Sequence, residues 1–275
     1  MNRRNFLHAA GTAGLAVAIR SVLAQETGAQ KRSPRIVLRS SWQTVNIGDI
    51  GHTPGVLTLL EKQLPDVEVR LWPSSIADGV EQLLAKRFPK LQFVKGEAGI
   101  QRAFAECDFL LHGSGPALVA QKDVARWHQE TKKPFGVFGI THSPVVSDVA
   151  KELLSAAKFI FFRDTVSMAA VKKAGVMSPI MEFGPDGAFA VDLRNDAAAE
   201  KYLKANDLEP EKFLCCIPRL RYTPYWLIKK DRPFDEKKHA RNEEMKEHDN
   251  KPLRDAIVAV IRETDLKVLV CPEDM

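Results

Sequence analysis

The chain has 275 residues, of which 45% are hydrophobic, and a formal net charge of +5 at pH 7. This length and apolar content suit one large folded domain or two small ones. Residues 1–24 contain three arginines and no acidic residue, so the rest of the chain keeps 37 of the 40 basic residues against 35 acidic ones, a net charge of +2. So small a charge does not indicate a nucleic-acid partner, and that class of function is set aside.

The N-terminus has the pattern of an export signal. Arg3 and Arg4 form a twin-arginine pair, and an apolar run over 9–19 follows them. The run is shorter than the ~20 residues that span a bilayer, and small residues lead to Ala24. We predict a signal peptide at 1–24, cleaved after Ala24, that takes the folded protein through the twin-arginine translocase to the periplasm or the cell exterior. An amphipathic N-terminal helix is the alternative, although 9–19 has no polar face at helical spacing.

Short apolar runs then alternate with helical patterns. The runs predicted as strands cover 35–38, 67–72, 93–94, 108–111, 134–139, 159–162 and 179–183. The helical patterns lie at 55–60, 80–88, 100–107, 118–129, 145–157 and 165–174. Continuous apolar strands that alternate with helices are typical of a parallel sheet covered on both faces. We therefore predict a Rossmann-like α/β domain over 35–192.

The pattern changes after this domain. A polar, helix-prone segment at 193–211 predicts a linker helix, and a second α/β domain is predicted to begin with a strand at residue 212. A helix at 252–264 and a strand at 266–270 follow. Because two parallel strands and one helix cannot bury a core alone, we expect the second domain to be truncated and the gene to continue past Met275.

The four cysteines do not indicate a metal site. Cys107, Cys215, Cys216 and Cys271 form no Cys-x-x-Cys pair, and no histidines group with them. Because Cys215 and Cys216 lie in an apolar run, buried free thiols are predicted. A disulfide to Cys271 is the alternative that an oxidising compartment permits. Neither a metal nor a cofactor is predicted.

A glycine-rich loop follows the first predicted strand. Ligands of open parallel sheets bind at the carboxyl ends of the strands, so polar residues at these positions are candidates. Asn46, Gly48 and Asp49 lead into a helix whose first N–H groups favour an anion. A Gly-rich connector without a ligand is the alternative.

A second glycine-rich loop follows the predicted strand at 108–111. Gly113, Ser114 and Gly115 suit a backbone nest for an anion. His112, at the start of the loop, is a candidate general acid or base. A histidine packed at the edge of the core is the alternative.

Two further loops contain charged residues at strand ends. Arg163 follows the strand at 159–162 and suits a phosphate or carboxylate, and Asp164 is a predicted N-cap. An Arg–Asp pair that only fixes the loop is the alternative. Asp186 lies in a Pro-Asp-Gly turn, where a purely local turn role is the simplest interpretation.

Arginines and aromatic residues are combined after the strand that opens the second domain. Arg219 and Arg221 suit an anionic donor, and Tyr222, Tyr225 and Trp226 suit stacking on the apolar faces of an acceptor sugar. A solvated loop without a ligand is the alternative.

Four of these segments, in this order, resemble the polysaccharide pyruvyl transferase family. They are 46–49, 112–115, 162–167 with 175–176, and 185–189. Each motif alone is weak, and the specificity comes from their common order. The resemblance extends roughly over 35–275.

This resemblance implies a two-domain fold of the glycosyltransferase-B type and transfer of a pyruvyl group from phosphoenolpyruvate to sugar hydroxyls, which forms a cyclic ketal. It also implies that arginines hold the donor, that a histidine is the general acid, and that Arg219 or Arg221 matches the family's donor-binding arginine. The chain departs from the family at two points. No counterpart of its Arg-x-His-type motif precedes Met275, and His-Gly-Ser-Gly replaces a run of three glycines.

We therefore predict a pyruvyl transferase-like enzyme that modifies a cell-surface or extracellular glycan, with phosphoenolpyruvate or a similar anionic donor. Phosphoenolpyruvate is a cytoplasmic metabolite, which an exported enzyme would lack. The alternative is therefore an exported protein of the same fold that binds or remodels carbohydrate without the transferase reaction. A nucleotide-dependent enzyme is disfavoured because the G-x-G-x-x-G spacing is absent.

Overall fold

A computed structural model describes residues 14–24, 32–229, 232–272 and 274. The chain divides into two compact units. Unit 1 comprises residues 1–44 and 48–193, and unit 2 comprises residues 45–47 and 194–275. Arg3 and Arg4 lie outside the described residues.

Unit 1 is built on a parallel sheet of seven strands, which confirms the predicted α/β class. The strands are β1 (Arg35–Ser40), β2 (Glu68–Pro73), β3 (Gln92–Phe93), β4 (Phe109–His112), β5 (Phe135–Ile140), β6 (Ile160–Phe162) and β7 (Met181–Phe183). Their order across the sheet is β3-β2-β1-β4-β5-β6-β7, and every neighbouring pair is parallel. The order reverses at β1, so the loops after β1 and β4 lie at the switch point where such sheets bind ligands.

Helices cover both faces of this sheet. Successive side chains of a strand point to opposite faces, so each strand buries apolar side chains on both of them. Beyond α1 (residues 14–24), the helices of unit 1 are α2 (Ile47–Gln63), α3 (Val80–Arg87), α4 (Gly96–Glu106), α5 (Gln121–Thr131), α6 (Asp148–Ala156) and α7 (Thr165–Lys173). Ile36 and Leu38 of β1 share one apolar cluster with α1, α2 and α3. Val37, between them, belongs to a second cluster with α4 to α7. Burial of both clusters provides the main favourable term for folding unit 1.

Helix α1 belongs to the first of these clusters. Six of its residues are buried, namely Leu15, Ala16, Ala18, Ile19, Val22 and Leu23. Val17, Arg20, Ser21 and Ala24 are exposed. This burial pattern is that of the amphipathic helix named above as the alternative, whereas cleavage after Ala24 stays a prediction. No helix in the described part of the chain combines the length and apolar character needed to cross a membrane.

Unit 2 has a much smaller sheet. Its elements are α8 (Asp196–Ala205), β8 (Phe213–Cys216), α9 (Tyr225–Ile228), α10 (Glu236–Glu263) and β9 (Lys267–Val270). The two strands are parallel, and Phe213 pairs with Lys267. Helix α10 is one continuous helix that runs through Pro252, whereas the sequence predicted a helix that begins at residue 252.

The cysteines partly correct the prediction of buried thiols. All four are free, and Cys107 and Cys216 are buried. Cys215 is exposed and Cys271 is half-buried, so the prediction is wrong for Cys215. The reason is that the sheet of unit 2 has only two strands, which leave part of β8 uncovered.

Candidate functional site

The carboxylate of Asp186 is the centre of a polar cluster at the carboxyl end of the sheet of unit 1. Its Oδ1 accepts a hydrogen bond from His52 Nδ1 (2.7 Å) and one from the Ala188 N–H (2.9 Å). Its Oδ2 accepts from Arg163 Nη1 at 2.6 Å. Burial alone raises the pKa of Asp186, but the contacts with His52, Ala188 and Arg163 outweigh it and lower the pKa to about 2. Asp186 is therefore a fixed anion that links helix α2, the end of β6 and its own turn.

Asp186 also orients Arg163. Nε of Arg163 donates to Thr141 Oγ1 (2.8 Å), on the loop after β5. Because its Nη1 donates to Asp186, protein partners hold the guanidinium at two positions. Asp164 does not pair with Arg163 here but caps helix α7, accepting from the Ser167 N–H (2.6 Å), which confirms the predicted N-cap. An Arg–Asp pair therefore fixes the loop, which is the alternative given for Arg163 above. The aspartate of this pair is Asp186, 23 positions away in the sequence, and not the neighbouring Asp164.

His52 is the functional candidate that the sequence analysis missed. It is buried in α2, and its Nδ1 also lies 3.1 Å from Ser114 Oγ. Both contacts use the same nitrogen, so the geometry is not that of a Ser-His-Asp triad, in which serine and aspartate engage opposite ring nitrogens. The signal available in the sequence was its position between Gly51 and Gly55, where close backbone packing is expected.

Glycines allow this cluster to close. A Cβ on Gly55 would lie 1.9 Å from the carbonyl oxygen of Gly187, and a Cβ on Gly187 would lie 2.6 Å from Ser114 Oγ. Gly139 has φ +66° and faces Ser114 and the carbonyl of Pro185. Larger residues at these positions would push the turn of Asp186 away from helix α2.

The loop after β4 does not form the predicted backbone nest. The N–H of Gly113 donates to the Arg39 carbonyl (2.9 Å), and the N–H of Gly115 donates to the Gly139 carbonyl (3.2 Å). The carbonyl of Ser114 accepts from Trp42 Nε1 (2.8 Å). Because these groups are engaged within the protein, an anion at this loop would rely on side chains rather than on a row of open N–H groups.

His112 is wholly buried beneath this loop. Its Nε2 accepts from the Ala120 N–H (3.3 Å), and its ring stacks on Trp42 with 4.8 Å between centroids. No described residue is a partner of its Nδ1. Burial, and then the nearby Arg39 guanidinium, lower the pKa of His112 to about 3. This environment is that of a neutral histidine packed in the core, the alternative weighed for it above.

The segment after β1 contains the remaining candidates that the sequence predicted at the sheet of unit 1. Gly48 and Asp49 lie in the first turn of α2, and Asp49 accepts a hydrogen bond from the Gln43 side chain. A carboxylate in the first turn already complements the positive end of the helix dipole. Asn46 is buried and belongs to the segment grouped with unit 2. The donor-binding role of these three residues stays a prediction.

In unit 2 the predicted arginines and aromatics are brought together around one cavity of about 850 Å³. The predicted residues among its lining are Arg219, Arg221, Tyr222, Tyr225 and Trp226. Arg232, Lys237 and Lys238 also line it, so its charge is mainly positive, although Asp235 and Glu236 contribute acids.

Two polar contacts hold this wall of the cavity. Arg221 forms a two-point ion pair with Asp249 of α10, at 2.9 and 2.8 Å. The side chain of Asn242, also on α10, accepts from the Tyr222 N–H (3.0 Å) and donates to its carbonyl (2.7 Å). Helix α10 therefore positions the segment after β8. The sequence did not predict these contacts of Asn242 and Asp249, because both residues lie in a densely charged stretch of the kind that is typical of a solvated helix.

Among the residues that the structure describes, no three His, Cys, Asp or Glu side chains are placed to hold a metal ion.

One family model matches most of the chain. The model of the family described as polysaccharide pyruvyl transferase matches residues 46–267. No curated protein sequence matches the chain.

Solved structures similar to the chain are distant. UGT71G1 of Medicago truncatula, solved with UDP-glucose, has 11% identity over 72% of this chain with a TM-score of 0.42. The UDP-N-acetylglucosamine 2-epimerase of Rickettsia bellii has 10% identity over 88% of this chain and 69% of its own, with a TM-score of 0.42. The glycosyl transferase family 9 protein of Veillonella parvula has 12% identity over 89% of this chain and 71% of its own, with a TM-score of 0.34. The chain spans 63% of the length of the Medicago protein.

Proposed function

Because the chain belongs to the polysaccharide pyruvyl transferase family, we propose that it transfers a pyruvyl group from phosphoenolpyruvate to hydroxyl groups of a glycan. The observation that carries the proposal is Arg163, which the partly buried Asp186 holds in a fixed orientation at the carboxyl end of the sheet. A preoriented guanidinium binds a phosphate or carboxylate at a smaller entropic cost than a free side chain.

The reaction sets the demands on the site. One sugar hydroxyl adds to the second carbon of phosphoenolpyruvate while the methylene carbon takes up a proton and becomes a methyl group. The second hydroxyl then forms its bond to the same carbon as the bond to the phosphate oxygen breaks. Of the two hydroxyl protons, one balances the proton taken up by the methyl group and the other leaves with inorganic phosphate. The donor carries a phosphate and a carboxylate throughout, so cationic side chains are needed to bind it. In unit 1 we assign this task to Arg163. In unit 2, Arg219 and Arg221 are the candidates for binding an anion in the cavity that they line.

The acceptor needs a different surface. Tyr222, Tyr225 and Trp226 supply aromatic faces in the cavity of unit 2, and such faces pack against the C–H groups of sugar rings. We propose that these three side chains bind the glycan. The glycan's identity and linkage follow from the assay below.

The proposed reaction also needs a general acid that delivers a proton. At pH 7 a neutral His112 whose Nε2 already accepts from Ala120 has no proton to give from that nitrogen. We therefore propose that His112 supports the loop after β4, and we assign the general acid to no residue.

The test is an assay of the full-length protein. We expect phosphate release from phosphoenolpyruvate in the presence of galactose- or mannose-containing glycans, with a matching gain in acceptor mass. Arg163→Gln should abolish release, whereas Arg194→Gln, at an exposed arginine outside both clusters, should leave it unchanged. Absence of phosphate release with every acceptor would overturn the proposal.

A second function is favoured by one observation, the twin-arginine pair at Arg3 and Arg4. If the protein is exported to the periplasm or beyond, it works away from cytoplasmic phosphoenolpyruvate, and binding or remodelling of a glycan becomes the better proposal. Glycan-array binding without turnover, together with recovery of the protein in the exported fraction, would support it. Absence of binding to any sugar would reject it.

A further inference from the structure

The N-terminal segment that has the pattern of a removable signal is also part of the core of unit 1. The buried residues of α1 recur at helical spacing, with Leu15, Ile19, Val22 and Leu23 on one side. Val17 is 64% exposed on the other side, beside exposed Arg20. A segment whose only task is to leave the protein does not need this division of its faces.

The surface beneath α1 is strongly apolar. Its cluster includes Phe109, Phe159 and Phe161, which are at most 1% exposed. At the start of the helix, a Cβ on Gly14 would lie 3.3 Å from the ring of Phe161, so the helix backbone approaches this ring closely. Removing α1 would expose part of this apolar cluster to water, and soluble proteins rarely leave large apolar patches exposed.

One polar contact fixes the position of the helix. Arg20 Nη2 donates to the carbonyl of Gln63 at 2.9 Å, and Gln63 is the last residue of α2. The last carbonyls of a helix have no partner within the helix and carry partial negative charge, so a guanidinium suits this position. Arg20, which lies within the predicted signal peptide, thus has a contact within the fold.

We propose that residues 14–24 are a structural helix of unit 1 that the folded protein retains. The helix cannot occupy the translocase and the sheet at the same time, so folding with α1 in place withholds the segment from export and from removal at Ala24. A retained helix keeps the folded chain in the compartment that contains phosphoenolpyruvate. The inference rests on packing alone and stands whether or not the transferase reaction is found.

The first test uses the unmodified full-length chain. We expect hydrogen exchange at residues 14–24 to be at least ~100-fold slower than in an unstructured peptide, because these amides lie in a helix packed on the core. Exchange at the unstructured rate, in a protein whose β1 and β4 are protected, would overturn the proposal even if every variant below failed to fold.

The second test compares two substitutions two residues apart. Ile19→Asp places a carboxylate at a position that is 0% exposed and should lower the Tm by roughly 10 °C or more, or prevent soluble expression. Val17→Asp places the same charge on the exposed side and should leave the Tm unchanged within error. Equal effects of the two substitutions would reject a structural role for α1.

The third test is the mass of the protein from a host with an active twin-arginine route. We expect the folded protein to retain its N-terminal residues through Ala24. A protein that begins at Gln25, unfolds at the same temperature as the full chain and binds no hydrophobic dye would show that the sheet does not need α1. Because none of these measurements involves catalysis, their failure would leave the proposed function intact.

Discussion

The two units contain the same kinds of elements but differ in how completely these bury one another. In unit 1, seven strands with helices on both faces enclose wholly buried side chains such as Phe135 and Trp127. In unit 2, two strands leave Leu214 at 42% exposure and Val270 at 57%. Because apolar burial supplies the stability, strand number decides which unit has a core of its own.

The same contrast holds for the candidate functional residues. Asp186 pairs with both His52 and Arg163 in a partly buried cluster, where the Asp186 side chain is 12% exposed. Arg221, in unit 2, pairs with Asp249 at the protein surface. Substitutions in the first group should therefore act through stability as well as ligand binding, whereas those in the second should act on the ligand alone.

The largest effect is expected at Asp186. Asp186→Ala leaves His52 and Arg163 without their shared carboxylate in a partly buried site, and should lower the free energy of unfolding by roughly 2–3 kcal/mol. Urea unfolding of the full chain measures it. The control Asp196→Ala removes a carboxylate that is 64% exposed, and should change nothing measurable. Equal losses of unfolding free energy in the two variants would mean that the Asp186 carboxylate contributes no more to stability than an exposed one.

The second effect concerns packing at the same cluster. Gly55→Ala places a Cβ 1.9 Å from the Gly187 carbonyl oxygen and should cost about 2 kcal/mol. Gly51→Ala is the matched control in the same helix, because its Cβ would have neighbours no closer than 3.7 Å. It should be neutral or stabilise the protein by up to about 1 kcal/mol through helix propensity. If both variants unfold like the wild type, the approach of the Asp186 turn to α2 is looser than described.

The third effect depends on pH. Because the pKa of His112 is about 3 in the folded protein and near 6.5 when unfolded, protons bind preferentially to the unfolded chain between these values. Stability present above pH 6.5 should therefore fall by about 1 kcal/mol for each pH unit as the pH decreases from 6.5 to 4.

The variant His112→Gln should flatten this part of the profile, and His248→Gln, at a histidine that is 77% exposed, should not. Unfolding midpoints measured at half-unit pH steps compare the three proteins. An unchanged slope in His112→Gln would mean that the ring is not buried in its neutral form.

The smallest effect on stability is expected in unit 2. Arg221→Gln breaks an exposed ion pair and should leave the unfolding midpoint unchanged. On the proposed function it should weaken the apparent affinity for phosphoenolpyruvate about tenfold, as loss of a charge-assisted contact does. Arg241→Gln, at an exposed arginine of α10 outside the cavity, should change neither quantity. A lower midpoint with unchanged affinity would assign Arg221 to the fold instead.

Local patterns predicted much of unit 1. Its strands were predictable because buried parallel strands appear in the sequence as continuous apolar runs. The N-cap at Asp164 was predictable because capping depends only on neighbours within three residues. The grouping of arginines and aromatics in unit 2 was also predicted, since those residues lie within eight positions of one another.

Contacts between distant residues were not predictable in this way. His52 and Asp186 are 134 positions apart, so no local pattern links them. The local sequence around Asp186 predicted only a turn residue. The sequence predicts His112 as a candidate acid or base because it does not show that Trp42 and Ala120 enclose the ring. The burial of α1 was not predictable either, because an export signal and a short core helix share an apolar composition.

The shared carboxylate of Asp186 has a consequence for how this site can vary among related chains. Three partners from α2, β6 and the turn depend on one side chain, so a change at any of them alters the requirements at the others. Across relatives, loss of the aspartate should coincide with loss of the arginine at the Arg163 position and of the histidine at the His52 position. Substitution at the three positions should therefore be correlated, and an alignment in which they vary independently would argue against their acting as one group.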